Sequence, residues 1–69
     1  MFYTQKEKLA YIRLCCKENG LVFRKVSSYI NNKPAYAIFK KQSDEKLTDV
    51  MTIDMAFDSQ DNIGFINDL

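Results

Sequence analysis

At Asn19-Gly20 the hydrophobic period of the chain changes, which predicts a helix before that point and a strand after it. Thr4 and Glu7 are spaced as a capping box: the Thr hydroxyl accepts from the backbone N–H of Glu7, and the Glu carboxylate accepts from that of Thr4. Leu9, Ile12 and Cys16 then fall on one helical stripe, with Phe2 just ahead on the same side, so this stripe is the predicted core face. Asn19-Gly20 supplies a left-handed C-cap, with Lys17 near the negative helix end. Ala10, Tyr11 and Leu14 project away from the stripe, with Tyr3 above them. Cover by the C-terminal segment is the first expectation for that side, and a partner surface is the second.

After Gly20 the period is two. Leu21 to Ile30 reads as a strand with Val22, Val26 and Ile30 on one face and Leu21, Phe23 and Tyr29 on the other. Asn31-Asn32-Lys33 is a turn, because Asn tolerates positive φ. Pro34 to Lys41 is the second strand, Tyr36 and Ile38 facing one way and Ala35, Ala37 and Phe39 the other. Gln42 to Glu45 is a polar turn, and Lys46 to Met51 is a candidate third strand. Thr52 is the predicted N-cap of a second helix with the stripe Ile53, Ala56, Phe57, Gln60 and, loosely, Ile63. Gly64 ends or kinks it, and Phe65-Ile66 with Leu69 form an apolar tail expected to pack back across the first helix. The expected fold is α+β: one domain over residues 1–69 in the order α-β-β-(β)-α, an antiparallel hairpin or three-stranded sheet packed by two helices.

Sixty-nine residues bury about 60% of the surface their unfolded chain exposes, so the core is small. An apolar content of 46% with two Gly and one Pro argues against disorder. No staple is evident. Cys15 and Cys16 are the only cysteines, and helix neighbours point about 100° apart, the wrong geometry for a bond between them. Without His, a zinc site within one chain is excluded, and no cofactor is expected. Two free thiols fit a reducing compartment, and no window approaches the roughly 20 apolar residues that cross a bilayer, so a cytoplasmic protein without membrane partners is expected.

The lack of His also removes the commonest general base and the usual partner of Ser and Cys nucleophiles. The cysteines sit in mid-helix, where nothing lowers a thiol pKa; Cys16 reads as a core residue and Cys15 as a helix-flank residue. There is no Gly-rich phosphate loop, so the chain is not expected to be an enzyme.

The charges are informative instead. Residues 1–41 carry nine basic side chains against Glu7 and Glu18, a net +7, whereas residues 42–69 carry Lys46 alone against seven carboxylates, a net −6. The overall +1 conceals two opposed halves. On the predicted second helix, Asp54, Asp58 and Asp61 share a side, and with Tyr11 and Leu14 as apolar anchors they are the candidate protein-binding set. The alternative is nucleic-acid binding through Arg24, Lys25, Lys33, Lys40 and Lys41, interleaved with tyrosines. The α-β-β-β-α order resembles the double-stranded RNA-binding domain. Where that module docks phosphate with lysines, this chain reads Thr52-Ile53-Asp54-Met55, and a carboxylate repels phosphate. A third reading is a homodimer or larger homo-oligomer in which the opposed halves dock between copies.

Lys8-Leu9-Ala10-Tyr11-Ile12-Arg13, Cys16, Asn19-Gly20-Leu21 and Phe23, the hairpin Ile30 to Tyr36, and Thr52-Ile53-Asp54 with Ala56-Phe57 resemble small accessory proteins of tailed bacteriophages over residues 8–60. Members often carry Gly at the position of Asn32. The resemblance implies a protein made in a bacterial cytoplasm that binds and inhibits or modulates a host protein, such as a component of defence or nucleic-acid processing.

Overall fold

The computed structural model describes residues 3–69; Phe2 lies outside the described residues. Helix α1 spans Gln5–Glu18, strands β1 and β2 span Leu21–Ile30 and Lys33–Lys40, and helix α2 spans Ile53–Ile63 before a closing 3-10 turn, Phe65–Asp68. The sheet is the antiparallel hairpin of the expected α+β fold. A radius of gyration of 11.3 Å matches the roughly 11 Å of a close-packed chain this long.

Both halves of the capping box form: the Glu7 N–H donates to Thr4 Oγ1 at 3.2 Å and the Thr4 N–H to Glu7 Oε1 at 2.9 Å. Those Thr4 bonds hold the Glu7 carboxyl below its ordinary pKa. Gly20, at φ +70°, turns the chain out of α1. Ile12 and Cys16 are sealed, and burial pushes the Cys16 thiol up to about 11, an inert core group. Cys15, expected on the flank, is buried too, because α2 and the closing turn widen the covered stripe on that side.

In the hairpin Phe23 pairs with Ile38 and Lys25 with Tyr36, and the Phe23 and Tyr36 rings stack at 4.8 Å. Asn31 and Asn32 both adopt positive φ, the two-residue turn whose twist suits a hairpin. Tyr29 departs from expectation. The register shifts between Lys25 and Tyr29, where β1 runs two residues longer than β2. Such a bulge bends the strand, and Tyr29 lies exposed instead of joining Leu21 and Phe23. Ala35 to Ile38 are buried on both faces of β2.

The candidate third strand is reduced to two isolated bridges, Phe39 with Lys46 and Tyr36 with Met51. Between them the return segment is two residues longer than the strand it faces, so a continuous ladder cannot form. The Ile38 N–H that a strand carbonyl would have taken instead donates to Thr48 Oγ1 at 3.1 Å.

Thr52 caps α2 by accepting from the Met55 N–H at 3.2 Å. Gly64, at φ +62°, ends it. Ile63 therefore does not extend the buried stripe; the reversal at Gly64 puts Ile66 into the core and leaves Ile63 in solvent. The buried Gln60 side chain fixes that reversal by accepting from the Ile66 N–H at 2.9 Å. Asp54 meets Gln5 and Lys8, Phe57 meets Tyr11, and Asn67 meets Asn19, so α1 and α2 run side by side in the same direction.

Candidate functional site

The charges sorted along the chain are sorted again around α1. Glu7, Tyr11, Leu14 and Glu18, at helical spacing, form one exposed stripe, while Lys6, Arg13 and Lys17 occupy the other flank. The first stripe borders α2. There the Phe57 ring lies between two tyrosines, its centroid 5.4 Å from that of Tyr3 and 5.5 Å from that of Tyr11. One turn further along α2, Asp61 closes a groove of about 190 Å³ lined by Tyr3, Glu7, Tyr11, Phe57 and Asp61. That is below the roughly 300 Å³ where small-molecule sites begin, and suits a single side chain.

The C-terminal segment does not cover this side. Its closing turn docks at the far end of α1, where Asn19 Nδ2 donates to Asn67 Oδ1 at 3.2 Å. Tyr11 remains 40% and Leu14 55% exposed. The Cys15 thiol, then loss of solvent and lastly the charge on Asp61 push the Tyr11 hydroxyl above its ordinary pKa, so it stays neutral.

Of the predicted acidic set, Asp58 and Asp61 are exposed on α2 and Asp54 is engaged. Lys8 Nζ donates to it at 2.9 Å, Gln5 Nε2 at 2.7 Å and Lys33 Nζ at 3.4 Å. Hydrogen bonds from Lys8 and Gln5, outweighing partial burial, lower its carboxyl to about 2. Asp54 is thus a structural tie between α1, β2 and α2. Asp61, Tyr11 and Leu14 share the α1–α2 face, with Asp58 further round α2.

The predicted basic set is likewise divided. Arg24 pairs with Asp44 at 3.0 Å and lies 4.8 Å over the Phe39 ring, and Lys33 pairs with Asp54. Among the described residues Lys25, Lys40 and Lys41 make no ion pair. Lys41 instead lines a groove with Arg13 and Lys17 of α1 over Leu21, Val22 and Phe23. This cluster on the far flank draws on α1 rather than on the hairpin alone.

Glu7, Phe57, Arg13 and Lys17 were missing from the predicted sites. The Glu7-Tyr11-Leu14-Glu18 spacing could have exposed the first; Phe57 was absorbed into the core stripe, and only the fold joins Lys41 to α1. Among the described residues no group of His, Cys, Asp and Glu could hold a metal ion, and no helix is long and apolar enough to cross a membrane. No protein-family model, curated protein or solved structure matches the chain.

Proposed function

We propose that this is a non-enzymatic protein-binding module that docks a partner on the α1–α2 face. The observation that carries the reading is the uncovered row of Tyr11 and Leu14 beside Phe57, flanked by Asp58 and Asp61. Exposed aromatic and aliphatic side chains ringed by charge have the composition of an interface centre with a polar rim. The carboxylates steer a basic partner surface towards it. In the setting that the phage resemblance implies, the partner is a host protein of defence or nucleic-acid processing, and docking modulates or inhibits it.

Capture from nuclease-treated bacterial lysate tests this. A stoichiometric host protein is expected on the tagged wild type and is expected to be lost from Leu14→Glu, an exposed change that leaves the core alone. Recovery that disappears with nuclease, or is indifferent to Leu14→Glu, overturns the reading. The first of those outcomes would favour nucleic-acid binding, for which the groove of Arg13, Lys17 and Lys41 is the specific support. That reading requires affinity to fall steeply between about 50 and 200 mM salt.

A further inference from the structure

We propose that the groove between α1 and α2 is a receptor for one arginine side chain presented by the docked partner. The inference rests on the protein-binding reading and specifies the chemistry of its central contact. The walls are the rings of Tyr3, Tyr11 and Phe57, and the rims are the carboxylates of Glu7 and Asp61 on opposite helices. Aromatic faces attract a cation through their quadrupole, and a guanidinium stacks on a ring while its edge donates to carboxylate. Phe57 already takes a cation in this way: Lys8 Nζ lies 5.3 Å from its ring centroid, held there by Asp54. The charge of the rim is available. Glu7 uses Oε1 to cap α1, and its lowered pKa keeps it ionised. Asp61 has no ion pair among the described residues. The Tyr11 hydroxyl, beside Asp61 and Gln60, is a further polar group at the groove wall. A groove of about 190 Å³ holds one such side chain and no more. It excludes a nucleotide by size and by the sign of its rim, so the fitting partner is a protein segment with an exposed arginine.

The probe is acetyl-arginine-amide, titrated into the intact chain and followed by NMR, with acetyl-citrulline-amide as the uncharged isostere. Arginine is expected to shift resonances of Glu7, Tyr11, Phe57 and Asp61 with millimolar affinity, and citrulline is expected not to. Asp61→Asn, at an exposed position, should weaken the arginine shifts by about fivefold, one screened charge in magnitude. Glu7→Gln, which retains the cap, should weaken them similarly. Equal shifts with citrulline, shifts confined to another surface, or indifference to both variants would overturn the proposal. The two readings fail separately. A captured partner lost with Leu14→Glu but retained with Asp61→Asn and Glu7→Gln together removes the arginine receptor and leaves the docking face. Arginine binding with no captured protein does the reverse.

Discussion

Asp54 accepts hydrogen bonds from Gln5 and Lys8 of α1 and from Lys33 at the start of β2 while standing in the first turn of α2, so one carboxylate ties three elements together. Its pKa falls from 3.8 to about 2. A lowered folded-state value stabilises the protein above the unfolded pKa, and that contribution is lost as pH falls through the folded one. The window is therefore about pH 4 down to about 2. One unit corresponds to about 1.4 kcal/mol, and with the side chain 31% open, screening leaves about 1 kcal/mol in all. Asp54→Asn keeps the shape and loses the charge. Urea unfolding at neutral pH should show it less stable by about 1 kcal/mol, with the gap to wild type closing by about pH 2. A gap that stays constant across that range would mean the ion pairs contribute nothing. Helical spacing groups Asp54 with Asp58 and Asp61, yet the role of Asp54 was illegible in the sequence, because Lys8 and Lys33 reach it only through the fold. Tyr11 and Leu14 were legible as misplaced apolar residues, since helical spacing alone sets them off the core stripe.

The segment between β2 and α2 shows how far local pattern carries an element. Both helices announce themselves through their caps, at Thr4 and Glu7 and at Thr52 and Gly64, and the hairpin through its asparagine turn. Those signals are local chemistry, so they survive reading without a structure. The bulge after Lys25 and the broken ladder after Phe39 are mismatches of length between two segments, and neither segment records the other's length. Where the ladder breaks, Thr48 replaces a backbone acceptor with its hydroxyl. Thr48→Val keeps the shape and leaves the Ile38 N–H without that acceptor, at a cost of about 1–3 kcal/mol. Thr48→Ser should restore most of the loss. Amide exchange reads the change directly: the Ile38 N–H should lose protection in the valine variant more than its neighbours do. Unchanged protection there would show that the hydroxyl bond is dispensable.

For the whole molecule the limiting quantity is core size. The core of a chain this short supplies by itself a net stability of about 3–5 kcal/mol, so each sealed side chain is a large fraction of the total. Among the described residues Ile12, Ile38, Ile66 and Cys16 are the largest fully buried side chains, and Ile66 stands in the closing turn beyond α2. It is held because Gly64 reverses the chain and Gln60 binds the Ile66 N–H, which turns the last segment from a tail into a lid on the α1–α2 seam. Truncating a sealed Ile to Ala costs about 2–5 kcal/mol. For a domain of this size each kcal/mol lowers the Tm by about 4–8 °C. Ile66→Ala should therefore lower the melting temperature by at least about 8 °C and leave much of the chain unfolded at 37 °C. Leu69→Ala, at a half-exposed position three residues on, should change it by no more than about 3 °C. Circular dichroism melts of the two variants make the comparison. Equal, small shifts would mean that the closing turn rests on the core without belonging to it. A large loss confined to Ile66→Ala would mean that the seam carrying both the Tyr11–Phe57–Asp61 groove and the Leu14 surface is held in register by the closing turn.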